Sequence, residues 1–293
     1  MNIFPYFIRG LATGGQFALV AIGYTMVYGI LRLINFAHGD LFMTAGILLI
    51  YITANFPTFP LWLSLIIMIA LTVLIGFLIE KCAYSPLRSA PRMSVMISAI
   101  GVSYLLQNLV NYLTGGLAKQ YPDIPVISSS IKLFGVKDKL TVFISPVVAV
   151  ILMLILVYII NKTKFGMSMR AVSRDFETSQ LMGVKINRVI SITFAIGAFL
   201  AAVGSVLYFA KNPGVSASAG NTPGIKAFIA AVVGGIGSVP GAVVGALIIG
   251  VVESIAKSFG LADYSDVISF ALLVIILVVK PTGIFGEKIT EKV

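Results

Sequence analysis

The chain has 293 residues, of which 58% are hydrophobic and 11% charged. Soluble domains carry roughly a quarter charged residues, so this composition excludes an ordinary soluble fold and predicts a polytopic membrane protein. The net charge of +10 would suit nucleic acid in a soluble chain. Here the basic residues sit in short connections between apolar runs, as in loops facing anionic lipid, and the lipid bilayer, not nucleic acid, is the expected partner.

Spans need about 20 apolar residues each. In chain order they are predicted near 11–31, 41–55, 61–79, 93–113, 142–161 and 189–210, followed by a long region at 225–257 and a last span near 265–280. The N-terminal "MNIFPYFIRGLATGGQFALVAIGYTM" places Arg9 before a run of spanning length without a small-residue cleavage site, so it reads as a retained first span. No ten-residue alternating segments suggest a barrel. The expected fold class is all-α: a helical bundle of about 8–9 spans with broken or re-entrant helices, forming a single transmembrane domain over 1–293.

Two regions are interrupted. In "GYTMVYGILRLINFAHGDLFMTAGILL" a polar break carrying Asn35, His38, Gly39 and Asp40 separates two apolar runs. A charge deep in lipid is costly, so Asp40 is expected to face protein or water. These residues either line a translocation path or satisfy the backbone ends of a broken helix, as caps do. In "IKAFIAAVVGGIGSVPGAVVGALIIGVVESIAK" the centre holds Gly234, Gly235, Gly237, Pro240 and Gly241. Proline rules out one straight helix there, leaving two short spans or a re-entrant pair whose small residues allow close packing. Paired broken segments mark transporters built from repeats, although two ordinary tight hairpins would give the same pattern.

Orientation follows from the Lys and Arg near span ends. The loop 80–92 carries Lys81, Arg88 and Arg92, and the loop 162–188 carries Lys162, Lys164, Arg170, Arg174, Lys185 and Arg188. Both are expected on the cytoplasmic side and the segment 114–141 on the outside. If 225–257 crosses twice, the C-terminal "KPTGIFGEKITEKV" returns to the cytoplasmic side and Met1 begins outside.

Catalytic chemistry is not apparent. There is no phosphate-binding loop for ATP, the one histidine has no second ligand arranged for a metal, and paired intramembrane carboxylates for a proton relay are lacking. The single cysteine, Cys82, excludes an internal disulfide. No cofactor or metal is expected.

The stretch "FGMSMRAVSRDFETSQLMGVKINR" stands apart as polar and helix-like. Phe165, Met169, Val172 and Phe176 fall on one helical face, Arg174 and Glu177 are spaced to pair, and Gly183 is a natural stop. A helix this short is marginal alone. It must rest on the lipid interface, on the protein's own helix ends, or in a groove on another protein.

"GMSMRAVSRDFETSQLMGVKINRV" resembles the cytoplasmic loop of the permease subunits of ABC importers, in particular the first of the two permeases of branched-chain amino-acid importers. "YGILRLINFAHGDLFM", "AAVVGGIGSVPGAVVGALIIGVVE" and "KPTGIFG" resemble further blocks of that family in the same order. The resemblance implies a multi-pass subunit of the bacterial cytoplasmic (inner) membrane. It also implies a second homologous permease subunit, two cytoplasmic ABC ATPase subunits and an extracytoplasmic substrate-binding protein as partners. The loop 165–188 would be the coupling helix, with Arg170, Ala171, Arg174, Phe176, Glu177, Leu181 and Gly183 making the ATPase contact. Import of urea or short amides is a related alternative, and a self-sufficient secondary carrier a more distant one.

Overall fold

The apolar runs fold as helices, and among the described residues six of them are long and apolar enough to cross a bilayer. The structure is a computed structural model that describes residues 3–286 apart from Ile34, Ser89 and Phe134, with Arg92 described by its backbone alone. In chain order the helices are α1 (Phe4–Leu31), α2 (His38–Asn55), α3 (Leu61–Ile79), α4 (Arg92–Thr114), α5 (Pro125–Ser128), α6 (Leu140–Lys162), α7 (Lys164–Arg174), α8 (Phe176–Leu181), α9 (Ile186–Lys211), α10 (Asn221–Gly234), α11 (Val239–Ser258) and α12 (Ser265–Val279). A π-helical turn, Glu80–Tyr84, extends α3. The six spanning helices are α1, α3 with its extension, α4, α6, α9 and α11, whereas α2, α10 and α12 fall short of that standard.

The centre of the bundle is α1. It is apolar on all sides and rich in glycine and alanine, the pattern of a helix buried all round. It packs on α11, α9, α6 and α10. Contact with α11 is backbone to backbone: a Cβ on Gly14 would lie 2.7 Å from the carbonyl oxygen of Ala246 and from the Cα of Leu247. Small residues allow this approach where no water is available to drive association. Gln16 is buried in the same region, and its Nε2 donates to the Leu207 carbonyl at 3.1 Å and to Ser145 Oγ at 3.3 Å. By contrast α3, α4 and α6 turn most of their surface outward, displaying residues such as Leu74, Leu109 and Leu154. They form the periphery.

Two helices begin inside the bundle. The chain leaves α1 through Arg32, whose φ of 52° reverses its direction while its N–H bonds to the Tyr28 carbonyl at 2.7 Å. It re-enters as α2, and the first turn of α2 meets the first turn of α10. The region 225–257 is indeed not one helix. It divides between α10 and α11 at a glycine turn, where Gly235 and Gly237 have φ of 104° and 100°. Residues 284 and 285 fold back on this turn, bonding their N–H groups to the carbonyls of Val233 and Gly234 at 2.9 Å each. The last residues of the tail, 287–293, lie outside the described residues.

The all-helical expectation holds for the apolar runs but not for the polar connection 114–141. There β2 (Ser130–Leu133) and β3 (Val136–Lys139) form an antiparallel hairpin, and β1 (Lys119–Gln120) pairs with β4 (Gly214–Val215) beyond α9. A polar segment without helical periodicity satisfies its backbone more readily by pairing strands. Arg9 at the start of α1 meets Asp138 of β3 at 2.7 Å, which fixes this as the ribbon end of the molecule. The π-turn, α7 and α8 lie at the other end. Trp62, the one tryptophan in the chain, is 63% exposed in the first turn of α3, just after the stacked pair Phe56 and Phe59. Aromatic side chains at this level match an interfacial belt.

Replacing Gly14 by Leu should force α1 from α11 and destabilise the bundle by about 1–3 kcal/mol or more, as overpacking does. Gly101→Ala is the control, because nothing lies within 4 Å of a Cβ at that position of α4. Thermal unfolding of the detergent-purified protein should show a lowered transition for the first and an unchanged or slightly raised one for the second.

Candidate functional site

The polar stretch between the apolar runs folds as two helices, not one. Thr163 caps α7, its hydroxyl accepting from the Gly166 N–H at 3.1 Å. The helix breaks at Asp175, whose extended backbone (φ −153°, ψ 117°) makes it the N-cap of α8. Its carboxylate accepts from the Thr178 N–H at 3.1 Å and the Thr178 hydroxyl at 2.6 Å. These bonds hold the Asp175 carboxyl below its ordinary pKa. The cap is therefore intact at neutral pH and is lost only as pH falls through that lowered value.

The break changes which residues share a face. Met169 and Val172 are buried and Phe165 half-buried against the bundle, as the stripe predicts, but Phe176 is turned out and partly exposed. Arg174 and Glu177 form no ion pair among the described residues, because Asp175 takes over the local hydrogen bonding. Arg170 folds back on α6, donating to the Ile160 carbonyl and thereby satisfying a carbonyl at that helix's C-terminus. Ala171 is half-buried. Gly183 ends α8 with φ of 82°, and the N–H of Val184 reaches the Ser179 carbonyl at 3.0 Å in the pattern of a Schellman cap. Nothing crowds a Cβ at Gly183, so the left-handed backbone alone is what requires glycine. The outcome is a projecting knob on which Leu181 and Met182 are 87% and 81% exposed. Beside it runs an open groove of about 660 Å³ that includes Phe176, Glu177, Gln180, Lys185, Arg188 and Arg88 in its lining.

A buried polar clamp joins the end of α3 to the start of α9, the helix that follows this knob. Glu80, fully buried at the start of the π-turn, accepts from Ser191 Oγ of α9 at 2.5 Å and from the Arg88 guanidinium. Arg88 also donates to Asn187 Oδ1 in the first turn of α9. At the far end of the π-turn, Tyr84 donates its hydroxyl to Asn35 Oδ1 at 2.7 Å. The π-turn thus ties the end of α3 to the start of α9 at one end and to the break before α2 at the other.

The residues of that break separate into different environments. Asn35 sits at the π-turn. His38 is buried with Tyr24, their ring centroids 4.9 Å apart in an edge-to-face arrangement, and packs against Gly23 and Gly197. Gly39 and Asp40 turn toward a cavity of about 300 Å³ between α2, α4 and α10. A Cβ on Gly39 would lie 2.9 Å from the Gly220 carbonyl oxygen. Gln107 of α4 donates to Asp40 Oδ1 at 2.9 Å and to Asn221 Oδ1 at 3.1 Å. Gly234, Gly235, Gly237, Pro240 and Gly241 are not brought to this cavity. They form the α10–α11 turn, with Pro240 in the first turn of α11 and Ser238 as its cap.

Several polar residues at these places were not singled out in the sequence: Glu80, Asn187, Ser191, Gln107 and Asn221, together with the ion cluster in which Lys226 of α10 meets Glu253 of α11 at 2.9 Å and Asp266 of α12 at 2.7 Å. Ionisable residues inside or at the edge of apolar runs are the available signal. Glu80, Lys226 and Glu253 all carry it.

A family model described as the permease component of a branched-chain amino acid transport system matches residues 6–277. The chain is 39% identical to a high-affinity branched-chain amino acid transport system permease protein, LivH, of Salmonella typhimurium, with 99% of each chain covered. It is 40% identical to the corresponding protein BraD of Pseudomonas aeruginosa, over 98% of this chain and 96% of that one. A solved inward-facing metal-chelate type ABC transporter is similar in fold, with a TM-score of 0.53 at 16% identity, covering 94% of this chain and 85% of that one.

Removing one member of the clamp leaves a buried charge unpaired, which typically costs about 3–5 kcal/mol. Arg88→Ala should therefore lower the unfolding transition strongly, and adding Glu80→Ala to it should restore part of the loss. A double-mutant cycle on thermal unfolding measures this coupling. Strictly additive effects would show that the clamp does not act as a unit.

Proposed function

The chain belongs to the family of branched-chain amino acid transport system permease components, and from that membership we propose how it works within an ATP-driven importer. It is a membrane-spanning permease subunit that passes branched-chain, hydrophobic amino acids across the cytoplasmic membrane. Energy comes from two separate ATPase subunits on the cytoplasmic face. A second homologous permease completes the path, and an external binding protein delivers the solute.

One observation carries the docking role: the α8 knob with Leu181 and Met182 turned out to solvent. A helix lying on lipid would present its apolar stripe to the bilayer. Here the stripe of α7 faces the bundle, and a second apolar patch, rimmed by Glu177, Lys185 and Arg188, projects beyond it. Exposed apolar patches with polar rims mark protein contacts. In this reading Leu181 and Met182 fill a cleft on the ATPase, Phe176 and Glu177 set register, and Gly183 turns the chain back toward α9. Arg170 and Ala171 hold α7 on α6 so that a pull on the knob is not absorbed locally. Arg174 remains exposed and free to meet an acidic partner.

Closure of the ATPases would then move α7 and α8 as one body. The Glu80 clamp and the Tyr84–Asn35 bond pass that motion to α3, α9 and the start of α2. Rocking of these elements about the α1 column would open the path to each side in turn. The full-length relatives named for branched-chain amino acids favour that substrate class over urea or short amides. A self-sufficient carrier would instead move solute without partners.

Glu177→Lys, or Gly183→Leu with its left-handed backbone penalty of about 1–2 kcal/mol, should release the ATPase on co-purification or uncouple ATP hydrolysis from uptake. Unchanged assembly and uptake in both variants would overturn docking. In a Cys82→Ser background, a cysteine replacing Asp175 should react with a membrane-impermeant reagent only from the cytoplasmic side. Labelling from outside would reverse the orientation. Vesicles holding this polypeptide alone should accumulate no leucine.

A further inference from the structure

The cavity between α2, α4 and α10 has a composition that the docking role does not use. Its polar pole is Asp40, whose residue is only 2% exposed. No lysine, arginine or histidine nitrogen among the described residues lies within 4 Å of that carboxylate. Its neighbours are neutral: the Ser103 hydroxyl and the Gln107 amide, which also reaches Ser103 Oγ and Asn221. A buried carboxyl without a cation inside a membrane bundle seeks one.

The opposite requirement is present beside it. Both α2 and α10 start here without a side-chain cap, so the positive ends of two helix dipoles converge where Gly39 touches Gly220 and Gly224. Asn221, in the first turn of α10, adds an amide. Discontinuous helices whose N-terminal ends face a cavity are a recurrent way to hold a solute carboxylate within a membrane. The rest of the wall is apolar, formed by Phe36, Ile100 and Phe228. At about 300 Å³ the cavity is at the small end of ligand sites.

We propose that this cavity is a stopping site for the zwitterionic head of an α-amino acid, with the ammonium on Asp40, the carboxylate at the start of α10 and the side chain against Phe36, Ile100 and Phe228. This rests on the permease reading and adds to it: the chain itself recognises the amino-acid head group, and the apolar wall accepts the side chain. Asp40 and Asn221 are then binding residues, and Gln107 positions both.

The test uses membranes containing the assembled transporter in a Cys82→Ser background, with Ile100→Cys as a reporter and Tyr104→Cys, also in the cavity wall, as a second in case the first fails to fold. Saturating leucine should slow modification of the reporter by a small thiol reagent about tenfold, the fold expected for loss of free site. Neither 4-methylpentanoate, which lacks the ammonium, nor leucinamide, which lacks the carboxylate, should protect. Adding Asp40→Asn should abolish protection by leucine. Equal rates with and without leucine, equal protection by 4-methylpentanoate, or a reporter that the reagent never reaches would each overturn the site. Co-purification of the ATPase from the same membranes separates the two readings. With Asp40 intact, no protection by leucine while the ATPase is attached sinks the site alone, and protection without an attached ATPase sinks the docking alone.

Discussion

Every feature of this bundle accommodates one constraint: two helices, α2 and α10, begin inside an apolar interior. A helix start leaves backbone N–H groups without partners, and hydrocarbon cannot supply them. Such starts are tolerated only where protein encloses them or where they line a cavity. Here both conditions are met. Gly39 meets Gly220 and Gly224 backbone to backbone, and the single amide of Gln107 spans from Asp40 to Asn221. The peripheral helix α4 is thereby tied to both starts, although most of its surface faces outward.

Around that centre the molecule divides into parts that are internally stiff. On one side α10, α11 and α12 are joined by the cluster of Lys226, Glu253 and Asp266, which Lys257 extends at 2.7 Å from Glu253. Lys226 and Glu253 are buried, so breaking that pair is expensive and α10 is firmly tied to α11, whereas Asp266 of α12 is 58% exposed and its link is worth less. On the other side the Glu80 clamp joins α3 to the first turns of α9. Between them stands α1, in backbone contact with α11 at Gly14 and hydrogen-bonded to α6 and α9 through Gln16. Ser98 Oγ, bonded to the Ala83 carbonyl at 3.0 Å, adds α4 to the π-turn.

The apolar helices and the polar loop were legible because hydropathy and helical periodicity are local properties, but the expected count of about 8–9 spans rested on α2, α10 and α12 as well as on the six helices of spanning length and hydropathy among the described residues. The interruption of 225–257 was legible for the same reason, since glycine and proline act on their own backbone. The two helices of the loop were not. Asp175, Phe176, Glu177 and Thr178 can be read as one helix with an Arg174–Glu177 pair or as a capped restart, and only the packing of Met169 and Val172 against the bundle decides between them. The polar contacts were illegible for a different reason. Asp40 and Gln107 are 67 residues apart in the chain, and Glu80 and Ser191 are 111 apart. Glu80 could be noticed as a charge at the edge of an apolar run, but its partners are a property of how helices pack. The strands of 114–141 lack any strong signal, being short and built largely of polar residues.

Trp62 has a consequence of another kind. Since it is the chain's one indole and stands largely uncovered at the head of α3, the protein's near-ultraviolet emission colour comes from a single depth in the bilayer. It is a built-in gauge of how deeply that rim is immersed. Because the Glu80 clamp fixes the far end of α3 to α9, the gauge stands at the opposite end of a helix anchored to its neighbour, and it reads that helix without any added dye.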